Sequence, residues 1–493
     1  MLLSMMPAGM DPPMDSVPTP VERQHVGVLT ILSAVVLVLF LAFMAWLQYG
    51  GSRVEEMVEP ERALALIVGR TMDLDEGIER GPAWERAVYR LLLSDRASDV
   101  AEALGWYEEL AAASFDPAVD LHLAILEGES GRPASVRRRV DEWARRPDPM
   151  PALARLVAAA YLPESLDTGD AATLDDETLA EVLEPGWFRD RIAVRLAVRP
   201  GDAELLDRAN ASQAARSRPL LNRSRAMIVV ELVLLVAGGL VLVRLVLRGD
   251  RLARIGAVVL PPPWRGRVGA GVLIRGGALG AITLVALYFF TFTGSDRPFA
   301  RVALGVATNA AFLPVLLLAR RRLLEPSGVP FAEGLGLMPA AGGMRRLLFV
   351  FLAVLSLGQL GGVAIDLAGR RVGLTAHWTE WFDRDLAWGP PLVVGLTVLD
   401  TVVLTPVFEE IVFRGLVFAT LRRRFGVPGA ALLSAGIFAI AHGYGVLGFA
   451  AVFWSGLLWA WAYERTGSLL PSIASHAADN LMASLSVVLA LRV

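Results

Sequence analysis

Nine long apolar runs constrain this chain more than any other feature. They cover residues 26–49, 226–247, 268–292, 302–319, 347–367, 392–421, 427–444, 446–463 and 469–491. Each is long enough, as a helix rising 1.5 Å per residue, to cross or nearly cross a hydrocarbon core about 30 Å thick. The expected fold class is therefore all-α: a polytopic membrane bundle of about nine transmembrane helices.

Between the first run and the second lies a stretch of different character. Residues 51–222 hold 33 acidic and 21 basic side chains, whereas the rest of the chain holds 17 and 26. An acidic, water-soluble insert with basic loops between spans is the expected division. The insert reads as helical, because segments such as 99–113 and 134–146 carry apolar residues at helical spacing between Pro and Gly breaks. Stacked helical hairpins would fit, although no clean 34-residue period is present.

The expected organisation follows. Residues 1–25 form a Met/Pro-rich disordered tail, and 26–49 a retained anchor without an A-x-A-like cleavage signal. A soluble α-helical domain spans 51–222, transmembrane helices and loops span 226–344, and a last membrane unit spans 345–493. All basic residues are arginine, and cysteine is absent, which excludes thiol nucleophiles, disulfides and cysteine metal sites. The arginines flank apolar runs rather than forming a stripe with interleaved aromatics, so nucleic acid is not an expected partner; the lipid bilayer is.

Arginine also sets the expected orientation. Arg244, Arg248, Arg251 and Arg254, then Arg320 to Arg322, Arg345 and Arg346, and Arg422 to Arg424 follow every second crossing. The positive-inside rule makes those loops cytoplasmic, with the N-terminus inside and 51–222 outside a bacterial plasma (inner) membrane. Arg223, Arg225, Arg370 and Arg371 fall on the opposite side. Trp378, Trp381 and Trp388 lie between two spans, where tryptophan usually marks the headgroup level.

Three of the last four runs contain ionisable groups, each costing roughly 2.5–3.5 kcal/mol in a span even on a lenient scale. Glu409, Glu410 and Arg414 share the sixth run, Phe438 and His442 the seventh, and His476, Asp479 and Asn480 the last. Adjacent helical positions point about 100° apart, so Glu409 and Glu410 are not expected to serve one site. Arg414 is four residues from Glu410, the spacing of a same-face ion pair, which leaves Glu409 to face a cavity. His476 and Asn480 share a face by the same spacing. Arg275, Glu231, Asp366 and Asp400 read as interhelical or end-snorkelling groups.

The patterns Glu409-Glu410-x3-Arg414, Phe438-x3-His442 and His476-x3-Asn480 resemble the CPBP (Abi, or type II CAAX prenyl endopeptidase) family, which includes lysostaphin-resistance-like proteins. The resemblance covers about 345–493. It implies an intramembrane endopeptidase acting on a membrane-embedded or membrane-associated peptide, with Glu409 and His442 activating water. His476 and Asn480 would stabilise the oxyanion, with Glu410 and Arg414 as structural support. Metal remains open at this point: if zinc were bound, Glu409, His442 and His476 would be the ligands. A catalytically silent scaffold or immunity-type factor, and a proton-coupled transporter, are the alternatives. The 51–222 insert is expected to meet an extracytoplasmic protein partner.

Overall fold

In the computed structural model, the described residues are 27–49, 53–55, 57–92, 96–162, 183–198, 202–247, 264–291, 297–338 and 343–492. The expected tail and the arginines at 248, 251 and 254 lie outside them. Among the described residues every regular element is helical. Helix α1 is Val28–Tyr49. Then follow α2 (Pro60–Glu79), α3 (Ala83–Leu92), α4 (Arg96–Ala113), α5 (Pro117–Glu129), α6 (Pro133–Trp143), α7 (Met150–Tyr161) and α8 (Trp187–Val198). Helix α9 is Ala203–Leu247 and α10 Gly266–Thr291.

Among the described residues, eight helices are long and apolar enough to cross a membrane. They include α1, α9, α10, α11 (Pro298–Ser327), α12 (Met344–Arg371), Val446–Thr466 and Leu470–Leu491. The remaining one, Pro391–His442, has 52 residues and would run roughly 78 Å if straight. It does not, because Gly426 adopts φ 67°, ψ −177°, a conformation that glycine takes without strain. Beyond it the Ser434 hydroxyl donates to the Phe413 carbonyl at 2.8 Å, and the Phe413 and Phe438 rings meet at 4.9 Å. Residues 21 apart on a straight helix would be separated by roughly 32 Å. The run is thus two antiparallel arms, α13 (391–425) and α14 (427–442), so that among the described residues the eight candidate spans hold nine apolar arms. Val446–Thr466 and Leu470–Leu491 are α15 and α16.

The acidic region forms a helical unit whose core holds Leu64, Ile67, Tyr107, Leu121, Ile125, Trp143 and Trp187. Local signals start its helices: Asp116 accepts from the Ala118 N–H at 2.9 Å ahead of Pro117, satisfying an orphan donor at the start of α5. Two features depart from the sequence reading. Helix α9 runs unbroken for 45 residues through the expected boundary at 222–226, so the acidic unit and the bundle share it. Trp378 does not meet lipid headgroups. It is fully buried in the same core as Tyr107 and Trp187, with Phe382, Leu386, Ala387 and the α16 residues Val487 and Leu491. Burial among protein groups removes more of an indole's apolar surface from water than an interfacial position would.

Three of the four arginines on the unexpected side are held by protein groups, and Arg371 is exposed. Arg225 forms a two-pronged pair with Glu85 at 2.5 and 2.8 Å, Arg223 donates to the Leu489 and Arg492 carbonyls, and Arg370 pairs with Asp366 at 2.8 Å. The arginine-rich loops meet at the other end. There Arg423 donates to the Trp264 carbonyl, Arg422 pairs with Glu464, and Arg244 and Arg345 both lie over Phe349.

His122 makes the acidic unit sensitive to acid. Its ring stacks on Phe188 at 3.9 Å and its Nδ1 is 2.9 Å from the Tyr107 hydroxyl. Burial pushes the imidazole down to about 3 from its usual 6.5. The unfolded chain therefore takes up a proton that the folded one refuses. That contribution to stability is whole above pH 6.5 and is lost as pH falls towards 3. Relative to His122→Phe, wild type should lose about 2 kcal/mol between pH 6.5 and 5. Denaturant unfolding at both pH values reads this directly, and parallel losses in the two proteins would refute it.

Candidate active site

Helix α13 carries both glutamates between two widened, π-helical stretches, Asp400–Leu404 and Ile411–Phe418. Pro406 accounts for the first of these. It has no N–H to return to the Val402 carbonyl, and its ring crowds that carbonyl, so the ladder opens. One carbonyl in each widened stretch is taken by a side chain from another helix. Asn480 Nδ2 donates to Thr401 at 2.8 Å, and Ser434 donates to Phe413.

Within this frame the polar residues form one chain. Arg414 Nη1 donates to Glu410 Oε1 at 2.7 Å, and both side chains are fully buried. The same Glu410 oxygen lies 3.2 Å from His476 Nδ1. On the other edge of the ring, His476 Nε2 is 3.6 Å from Glu409 Oε2, beyond hydrogen-bond reach. A carboxylate oxygen only accepts, so Nδ1 of His476 carries the proton of that contact. His442 Nδ1 is 2.8 Å from the Phe438 carbonyl, which likewise only accepts. In the neutral ring, that bond leaves the lone pair on Nε2.

Aromatic groups hold this cluster. The Arg414 guanidinium lies 4.4 Å over Phe438 and 4.9 Å over Trp459, and cation–π contacts of such desolvated groups are worth about 2 kcal/mol. Trp459 also stacks on His476 at 4.1 Å and 15°, while Phe438 touches both imidazoles, His442 at 4.5 Å and His476 at 5.8 Å. Gly456 admits the arginine: a Cβ there would stand 3.1 Å from Arg414 Nη2 and 3.0 Å from the Ala435 Cβ. Trp459 and Gly456 escaped the sequence reading. Their spacing of three places them on one face of α15, but nothing in the sequence says which face meets the glutamates.

The structure brings Glu409, Glu410, Arg414, His442 and His476 together, with two corrections. Glu409 and Glu410 do serve one site, because an imidazole presents nitrogens on two edges and so spans carboxylates pointing in different directions. Glu410 is therefore more than the partner of Arg414, since it also holds His476. Asn480 binds the Thr401 carbonyl with its amide rather than joining the carboxylate–imidazole chain. The other candidates lie elsewhere. Asp400 accepts from Asn309 Nδ2 at 2.8 Å, Arg275 donates to the Thr30 hydroxyl, Glu231 is exposed on α9, and Asp479 faces Gly358 of α12.

Access divides the two glutamates. Glu410 and Arg414 are sealed, whereas the Glu409 side chain is 14% exposed and His442 is half-buried. Glu409 Oε2 has no hydrogen-bond partner among protein groups. The set considered for zinc does not fit. Among the described residues no three His or carboxylate side chains are grouped to hold an ion. No step is assigned to a metal here.

A family model described as type II CAAX prenyl endopeptidase Rce1-like matches residues 391–482. That segment is an Rce1-like domain running from the start of α13 into α16, and it contains all seven motif residues. It leaves α12, where the resemblance had been extended, and the acidic unit outside. Searches of curated proteins and of solved structures returned no match.

Proposed function

We propose, from an Rce1-like domain at 391–482, that this chain is an intramembrane endopeptidase that hydrolyses a peptide bond of a membrane-associated substrate. The observation that carries the reading is the contrast between a sealed ion pair and two acceptors that no protein group occupies, on side chains that are only partly buried. Glu409 Oε2 and His442 Nε2 are the groups left to take a proton from water as it attacks the scissile carbonyl. His476, when protonated at both nitrogens, offers its Nε2–H to the negative charge that develops on that oxygen, and the proton taken from water passes to the departing amine as the C–N bond breaks. Glu410, anchored by Arg414, holds the His476 Nδ1–H and partners the ring when it is charged. Asn480 acts on α13, keeping the widened turn at Thr401 in place beneath the glutamates.

Orientation belongs to the same reading. With the arginine-rich loops in the cytoplasm of a bacterial cell, the acidic unit stands outside the plasma membrane. There it is placed to meet an extracytoplasmic protein, and its first partner is the chain's own 377–388 segment. Substrate trapping tests the proposal. Glu409→Ala in lipid vesicles should retain membrane peptides that wild type cuts, identified by mass spectrometry. Equal cleavage by both proteins would overturn it, and no cleavage by wild type would favour a silent scaffold.

A further inference from the structure

Glu380 lies in the segment between α12 and α13, far in sequence from every motif residue, yet it ties the acidic unit to the turn after His442. Its Oε1 accepts from the Gly445 N–H at 3.0 Å and from Arg53 Nη1 at 2.5 Å, and its side chain is 11% exposed. Gly445 caps α15, so the carboxylate meets the end of the helix where unpaired N–H groups and the dipole favour negative charge. The glycines leave room for it. A Cβ on Gly445 would stand 2.7 Å from Oε1, and one on Gly448 3.0 Å from Oε2.

The turn so held is short. His442 ends α14, Gly443 reverses the chain at φ +66°, and Gly445 begins the next helix. The Tyr444 ring between them lies 5.6 Å from the His442 ring. On its other side Glu380 is two residues from Trp378, which is fully buried in the core of the acidic unit. His377 adds a second tie, with Nε2 3.1 Å from Glu109 of α4 and Nδ1 2.8 Å from the Thr379 hydroxyl. Arg53 arrives from the stretch that joins α1 to α2. A four-residue strap, His377 to Glu380, thus has one end in the acidic unit and the other on the turn beside His442.

We propose that Glu380 is a positioning residue for His442, and that the strap makes the placement of His442 depend on the acidic unit. The catalytic part of this rests on the reading that His442 acts on the attacking water; the mechanical part does not. A shift of the acidic unit carries Trp378 with it, and a displacement of about 1 Å at a reacting group is enough to cost roughly 100-fold in rate. A regulator of this enzyme therefore needs to touch only the acidic unit.

The absence of cysteine allows a direct test. Spin labels at Phe115→Cys on the acidic unit and Val446→Cys at the start of α15, both exposed positions, report the distance across the strap in lipid nanodiscs. Glu380→Ala should broaden that distribution. Glu380→Gln, which keeps an acceptor for the Gly445 N–H, should preserve most of it. In cleavage assays Glu380→Ala should lower kcat about 10–100-fold with KM within about twofold, and Glu380→Gln should restore most of the rate. A distance distribution unchanged in Glu380→Ala overturns the proposal. So does an equal loss of rate in both variants accompanied by an equal fall in melting temperature. If wild type cleaves nothing, the endopeptidase reading fails while the distance measurement still decides the coupling.

Discussion

Arg414→Leu is expected to destabilise the bundle by about 3–5 kcal/mol, the usual result of removing one partner from a buried ion pair. Glu410 would remain fully buried, its oxygen left with His476 alone, in a site where Arg414 had supplied both charge and hydrogen bond. The Phe438 and Trp459 rings would lose the guanidinium between them as well. Arg414→Lys should recover only part of this, because an ammonium cannot reproduce the planar stack on two rings. The double variant Glu410→Leu/Arg414→Leu should be more stable than Arg414→Leu alone, since no uncompensated charge remains. Unfolding in mixed detergent, followed by tryptophan fluorescence, separates these cases. An Arg414→Leu protein as stable as wild type would show that the pair does not hold the helices.

Glu409→Gln tests chemistry rather than stability. The two side chains are nearly isosteric, and the Glu409 carboxylate makes no hydrogen bond shorter than its 3.6 Å approach to His476. The melting temperature should therefore stay within about 2 °C of wild type, as expected for a change worth under 0.5 kcal/mol. The rate should not, because removing a general base typically costs about 10²–10⁴-fold. His442→Ala should fall in the same range. The two changes combined should cost little more than either alone, since groups acting on one water are not additive. The quantity to measure is kcat on a trapped and identified substrate. Wild-type turnover by Glu409→Gln would remove Glu409 from the reaction and with it the proposed mechanism.

Much of this was legible in the sequence because the relevant physics is local. The cost of placing charge in lipid marks Glu409, Glu410, Arg414, His442 and His476 as residues requiring partners. The i,i+4 spacing paired Glu410 with Arg414 correctly. Spacing did not locate the Asn480 contact with Thr401, because face-sharing says nothing about a carbonyl freed on another helix. The 100° rule misjudged Glu410 for a related reason: it describes one helix and is silent about a ring from a neighbour that offers two nitrogens. Trp378 was misplaced because the headgroup rule assumes lipid, whereas the acidic unit covers that position.

Composition and periodicity by themselves determined that the chain is an all-α membrane bundle, where it crosses, and which side chains within the crossings are costly. Those are properties of a residue and its near neighbours along a helix. Which nitrogen meets which oxygen, which glycine admits Arg414, and how Glu380 reaches Gly445 were decided by the tertiary structure. The His476–Glu410, Glu380–Gly445 and Gly456–Arg414 contacts join residues 66, 65 and 42 positions apart, and only the packing of whole helices sets their distances.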